Sequence, residues 1–381
     1  MMRRILFPVI TIFFAISLSL VIAEGVLRLA FDEVNFLAPE LEADPILGRR
    51  IKPNSAGHDD WGYRNRTVPS SADIVAIGDS QTYGVSALAD QSWPAWLSRI
   101  LARPVYNLAL GGYSPIHYRY VLEDRALNLR PDIVLVGFYL GNDLSEAFSL
   151  VYSLDYWQFL RTTELTDQID QPIEAPVNLP SGAVFRLKRY FGHNSILYRL
   201  MTEIVGDKYR YMERRYFADS EELVWLQTGQ VKTAFTPRKR LNAVNLTDLR
   251  IQEGQRLSLE AIYRMYQLCQ RQGVRLIVVL IPTKESVYAS ELKNQIESPH
   301  YESLRSLIAF ESEIASTSMD FFRDHEIEVV DILPALRDAA RHRQIYPSNE
   351  DGHFISEGYR AIANRVAEHI QTTNYSRTQT E

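Results

Sequence analysis

The sequence predicts an α/β fold, a doubly wound parallel sheet with helices on both faces. Two observations carry that expectation. Short runs that are apolar on nearly every position recur between residues 72 and 372, and amphipathic helical runs stand between them. A strand that is apolar throughout is buried on both faces. Strands that alternate with helices build a parallel sheet through right-handed crossovers.

The elements follow in order. Asp73–Ile77 is a first strand, and it runs into Gly78-Asp79-Ser80-Gln81-Thr82. Ser92–Leu101 reads as a helix with Trp93, Trp96, Leu97 and Ile100 on one face. Val105–Leu108 is a second strand and His117–Leu129 a second helix, and Asp132–Phe138 is a third strand with little polar content. Gln255–Gln272 is a long helix, broken at Gly273 before a fourth strand, Val274–Ile281. A helix over 301–325, a fifth strand at Glu328–Asp331 and a last helix from Ser356 to Gln371 complete the pattern.

Between about 149 and 254 the alternation stops. This stretch is rich in aromatic residues, among them Tyr152, Trp157, Tyr190, Phe191, Tyr198 and Trp225. A segment of that length between two sheet strands is an insertion, and it reads as a lid, a small subdomain or a partner surface.

The ends carry other signals. Arg3 and Arg4 precede a charge-free run from Ile5 to Ala23, which as a helix extends about 28 Å. That length matches a bilayer's hydrocarbon layer, and the paired arginines favour a cytoplasmic N-terminal side. Residues 1–23 are therefore expected to form a membrane anchor, with the rest periplasmic or at the cell surface. The alternative is a cleaved signal, because Val21 and Ala23 suit a cleavage site, which would leave the protein secreted. Residues 24–71, punctuated by Pro39, Pro45 and Pro53, read as juxtamembrane linker plus a domain edge, and 373–381 as a polar tail.

Composition excludes several classes. With 46% hydrophobic and 23% charged residues the chain is an ordinary globular one. A net charge of −6 and the lack of a basic stripe argue against nucleic acid as a partner. The single cysteine, Cys269, lies in an apolar helical pattern and reads as core. His58, Asp59 and Asp60 cluster in a polar loop and read as solvated rather than as metal ligands, so neither a metal nor a cofactor is expected.

Open α/β sheets place chemistry at the carboxyl ends of their strands. Ser80 stands there after the first strand, where a strand-to-helix turn exposes a nucleophile. Alone, Gly-Asp-Ser is more often a structural turn. The second strand ends near Gly111-Gly112, where the chain can approach a ligand or merely turn. The third ends in Gly141-Asn142-Asp143, where the Asn142 amide can donate to an oxyanion or cap a helix. Of eight histidines, His353 alone has an aspartate two residues earlier, Asp351, at the mouth of a helix. His58 and His325 are weaker rivals. A serine needs such an imidazole to take its proton, and the imidazole needs a carboxylate to orient it.

Together these pieces resemble the SGNH hydrolases, also called GDSL esterases and lipases. The resemblance implies a flavodoxin-like sheet of about five strands and places the family's serine, glycine, asparagine and histidine at Ser80, Gly112, Asn142 and His353. Ser80, Gly112 and Asn142 then form the oxyanion hole. Many members keep two residues between aspartate and histidine, whereas this chain has one. The Asp351-Gly352-His353 form, and the stretch Ile281-Pro282-Thr283-Lys284 with Val287-Tyr288, are similar to the branch related to alginate O-acetyltransferases. The implied activity is that of an extracytoplasmic serine esterase or O-acyltransferase that handles an acylated small molecule or polysaccharide. A catalytically silent scaffold of an envelope polysaccharide machine is the alternative, and a phospholipase would need an apolar groove that the sequence does not display. Lys284 reads as solvated more readily than as a contact for an anionic polymer.

Overall fold

The computed structural model describes residues 2–162, 182–202, 223–293 and 300–378. The chain divides into two compact units. The larger comprises Ala43–Arg50, Tyr63–Pro176 and Ser220–Glu381. Two short strands early in the chain, β1 (Leu41–Asp44) and β2 (Gly48–Ile51), form a two-stranded sheet among the described residues. The centre of the larger unit is a five-stranded parallel sheet built from β3 (Ile74–Gly78), β4 (Val105–Asn107), β5 (Ile133–Tyr139), β8 (Arg275–Ile281) and β9 (Glu328–Asp331). They lie in the order β4-β3-β5-β8-β9. Counted along the chain this is 2-1-3-4-5, the flavodoxin-like winding. The order reverses beside β3, so the crevice opens at the carboxyl ends of β3 and β5. Those are the strand ends that lead to Ser80 and Asn142.

Burial explains the strand composition. Every residue of β3 and β5 is buried, which their runs of Ile, Val and Leu satisfy on both faces. Helix α4 (Trp93–Leu101) packs with α15 (Ser356–Thr378). Trp93, Leu97, Ile362 and Val366 meet Ile74 and Leu135 there in one core. Helices α6 (Asp143–Ser153) and α10 (Leu249–Arg271) pack together. There they bury Ala147, Val151, Leu257 and Ala261. They approach closely at Gly254, where a β-carbon would stand 2.0 Å from the Leu144 carbonyl oxygen.

Some boundaries differ from the sequence expectation. The helix expected over 117–129 begins at Pro115 as α5 (Pro115–Val121), then loosens into a π-turn at Leu122–Ala126. Pro115 suits the first helical turn, and Ser114 with His117 forms a capping box there. The long helix α10 starts earlier, at Leu249, because the Asp248 carboxylate caps it through the Arg250 N–H at 2.9 Å. The last helix continues to Thr378, into the segment read as a polar tail.

Within the range read as an insertion lies an antiparallel hairpin, β6 (Val224–Thr228) and β7 (Val231–Phe235), followed by α9 (Pro237–Leu241). Residues 163–181 and 203–222 of that range lie outside the described residues. Three short helices are further elements that the sequence reading did not assign: α11 (Lys284–Val287) and α12 (Ala289–Lys293) after β8, and α14 (Leu333–His342) after β9.

The smaller unit comprises Met1–Glu42, Ile51–Gly62 and Val177–Asp219. It includes α1 (Met2–Ala30), α2 (Glu33–Phe36), α7 (Ala183–Asn194) and α8 (residues 196–202). Leu37, Ala56 and Ile196 form its core, so residues read as linker here bury side chains. Helix α1 runs on to Ala30, past the end of the charge-free stretch. Its segment Phe7–Ala30 is long and apolar enough to cross a membrane, and none of it is buried within the protein.

Candidate active site

The Gly78–Thr82 turn is shaped by close packing. A β-carbon on Gly78 would stand 2.1 Å from Thr82 Oγ1, so glycine lets the single turn α3 (Ser80–Tyr83) fold back over β3. Asp79 caps that turn through the Gln81 N–H at 2.9 Å. Ser80 is the first residue of the turn and stays half-buried over the sheet.

The structure brings Ser80 and the Asp351–His353 loop together. Ser80 Oγ lies 2.9 Å from His353 Nε2. On the other side of the ring, His353 Nδ1 lies 2.6 Å from Asp351 Oδ1. The same oxygen accepts the His353 backbone N–H at 3.0 Å, and the Ser86 hydroxyl meets Oδ2. A carboxylate only accepts, so the imidazole carries its proton on Nδ1 and offers Nε2 to the serine. Burial pushes the Asp351 carboxyl up, but His353 and the Ser86 hydroxyl outweigh it and hold the group well below the usual carboxylate range. Gln81 ties the Ser80 turn to this loop by donating to the Gly352 carbonyl at 3.1 Å.

Gly112 and Asn142 are placed differently. Gly112 is left-handed (φ 78°), and its open side faces the Arg49 guanidinium. Gly111 is the glycine beside Ser80, since a β-carbon there would stand 3.5 Å from Ser80 Cβ. Asn142 immediately precedes α6, and its buried Oδ1 has no hydrogen-bond partner, so its side chain is not used as a cap. The next residue, Asp143, is fully buried and accepts the Tyr139 N–H and the Tyr118 hydroxyl, each at 2.9 Å. Burial and the nearby Asp79 push its carboxyl up. The weaker histidines go elsewhere. His58 bonds the Ser55 carbonyl in the smaller unit, and His325 bonds the Phe321 carbonyl at the end of α13 (His300–Asp324). No group of acidic, histidine or cysteine side chains able to hold a metal occurs among the described residues.

Residues 243–381, less than half of the chain, match the family described as the SGNH hydrolase-like domain of the acetyltransferase AlgX. Over that stretch the chain is similar to an SGNH hydrolase-like domain. The matched stretch holds Lys284, Asp351 and His353, whereas Ser80 and Asn142 precede it. No curated protein sequence matches the chain. Similar solved structures include a lipolytic protein of the G-D-S-L family from Veillonella parvula, at 12% identity over 77% of this chain and 96% of that one, with a TM-score of 0.38. A mutant of the acetylxylan esterase Axe2 from Geobacillus stearothermophilus is 10% identical over 80% and 95%, TM-score 0.40. The extracellular lipase of Streptomyces rimosus is 12% identical over 77% and 99%, TM-score 0.37. These likenesses are remote.

Around Ser80 and His353 stand groups that sequence reasoning missed. Lys284, expected in solvent, is 1% exposed. The turn after β8 directs it inward, where its ammonium donates to the Asp351 carbonyl at 2.9 Å, the Asn349 carbonyl at 3.1 Å and Thr233 Oγ1 at 3.2 Å. Burial pulls its amine down to about 8. Arg240, from α9, donates to the Gly141 carbonyl at 3.3 Å and lies against Gly352. Asp79 Oδ2 lies 3.1 Å from Ser80 Oγ as a competing acceptor for the one hydroxyl proton that otherwise points to His353 Nε2, and full burial raises the Asp79 carboxyl to about 6. The signal for Lys284 was its position just past an apolar strand. Nothing local in the sequence marks Arg240.

Proposed function

We propose that this protein is a membrane-anchored serine enzyme of ester chemistry that works outside the cytoplasm, moving an acetyl group from or onto a carbohydrate. The observation that carries the reading is the relay from Ser80 through His353 to Asp351. In it Ser80 Oγ attacks the ester carbonyl while Nε2, 2.9 Å away, takes the proton. The imidazolium is stabilised by Asp351 and returns the proton to the leaving alcohol. The Ser80 and Gly112 N–H groups and the Asn142 amide cradle the oxyanion, and the Gly112 N–H follows directly on the Gly111 that packs beside Ser80. Water or a sugar hydroxyl then accepts the acyl group from Ser80. The match of residues 243–381 to an acetyltransferase family favours acetyl as the group moved. The span Phe7–Ala30 with Arg3 and Arg4 before it favours an anchor with the site outside.

Incubating the full chain with an activated acetyl ester and a panel of glycans tests this reading. Free acetate and acetylated sugar are followed together, and both should depend on Ser80. Turnover that survives in Ser80→Ala would end the assignment, and a folded native chain that releases or transfers no acetyl group would favour the silent scaffold.

A further inference from the structure

Helix α7 leaves Val184, Leu187, Tyr190 and Phe191 exposed, and α8 adds Met201. Single exposed apolar residues are ordinary, but a contiguous patch marks an interaction surface. These side chains and Leu20 and Val21 of α1 line one groove of about 770 Å³ within the smaller unit.

The groove is held to α1 by two charges at the break between α7 and α8. Glu24 accepts the N–H groups of Ile196 at 3.1 Å and Leu197 at 3.0 Å and the Ser195 hydroxyl at 2.9 Å, at the start of α8. Arg28 donates to the Asn194 carbonyl at 2.5 Å, at the end of α7. A carboxylate thus meets free N–H groups and a cation meets a free carbonyl, the pairing that helix ends favour. This fixes α7 and α8 at the level of Leu20 and Val21, the last turn of the charge-free run.

We propose that α7 and α8 lie in the membrane interface beside α1, with lipid acyl chains in the groove and Arg186, Lys188 and Arg189 meeting anionic headgroups. Continuity decides the occupant. Leu20 and Val21 belong both to the spanning segment and to the groove, so a bilayer that surrounds α1 reaches the groove wall. The three basic residues of α7 are exposed, and an apolar stripe beside basic side chains is the pattern of an interfacial helix. The proposal rests on reading α1 as a retained span, and it is independent of the catalytic assignment.

The test uses the full chain, carrying Cys269→Ala, in phosphatidylcholine vesicles with added phosphatidylglycerol, after flotation has verified reconstitution. Leu20→Cys, Leu187→Cys, Phe191→Cys and Gln270→Cys are each labelled with an environment-sensitive dye, and nitroxides on the acyl chains serve as quenchers. Positions 187 and 191 should be quenched at least about threefold more than position 270, and Lys188→Glu with Arg189→Glu should remove the gain from anionic lipid. Quenching at position 20 without quenching at 187 and 191 would overturn the interfacial placement and leave the anchor standing. No quenching at position 20 would overturn the proposal at its premise. Blue-shifted, unquenched emission at 187 that fades as lipid dilutes the protein would assign the groove to a second copy and refute lipid as its occupant. The same emission persisting at high dilution would show that the chain covers the groove itself, and it would refute lipid there just as firmly.

Discussion

Replacing Asp351 with asparagine separates two ways in which a carboxylate supports a catalytic imidazole. An asparagine either keeps an oxygen toward Nδ1 or turns its NH2 there. In the second case Nε2 becomes the protonated nitrogen and cannot accept from Ser80, which costs roughly 10⁴-fold in serine-protease-type triads. The structure favours the first case. Asp351 Oδ1 accepts the His353 backbone N–H at 3.0 Å as well as the ring, and only an oxygen satisfies that donor. The Ser86 hydroxyl at Oδ2 can reverse its direction and accept from an NH2. The variant then loses the charge but keeps the tautomer. A charge-assisted hydrogen bond exceeds a neutral one by about 1–2 kcal/mol, which corresponds to about five- to thirtyfold in rate. Initial rates of acetate release from an activated ester, compared as kcat/KM, measure it. A loss near 10⁴-fold would refute the reasoning that the backbone N–H fixes the tautomer.

Other perturbations follow from the same geometry. Asn142→Ala should lower kcat about a hundredfold with little change in KM, because the amide acts on the oxyanion and not on the bound ester; equal losses in both constants would count against that role. Lys284→Met leaves Thr233 Oγ1 and the Asn349 and Asp351 carbonyls without their shared donor, and urea unfolding should show a loss of about 1–3 kcal/mol together with slower turnover. Asp79 titrates at about 6 in the fold against 3.8 ordinarily, so the folded state holds its proton more tightly between those values. Its contribution to stability therefore falls as pH rises from about 4 to about 6 and is flat above that. The difference in unfolding free energy between the native chain and Asp79→Asn across pH 4–7 should reproduce that slope, and a flat difference would contradict it.

How much the sequence disclosed depended on whether a signal was local. The three central strands were legible because burial on both faces makes each run apolar, as in Ile133–Tyr139. The four candidate blocks could be picked out because each follows a strand end or precedes the last helix. The hairpin β6–β7 also left a trace, an alternating Val224–Thr228 followed by Gly229, but the long aromatic stretch around it obscured the pattern. What could not be read were long-range groupings. Lys284 reads as a surface cation until the hairpin brings Thr233 over it, and Arg240 reads as one of three consecutive basic residues until α9 turns it toward Gly352. Gly111 and Gly112 are distinguished by a left-handed turn and by the Arg49 that packs on it, neither of which is written in a Gly-Gly pair.

Every catalytic step above depends on the Ser80 hydroxyl being a nucleophile activated by His353. Treatment of the folded full chain with a fluorophosphonate, followed by peptide mapping, examines that hydroxyl directly. A single adduct is expected, on Ser80, absent in Ser80→Ala and formed at least about a hundredfold more slowly in His353→Ala. A native chain that remains unmodified, or an adduct that forms on another residue at the same rate in Ser80→Ala, would contradict it.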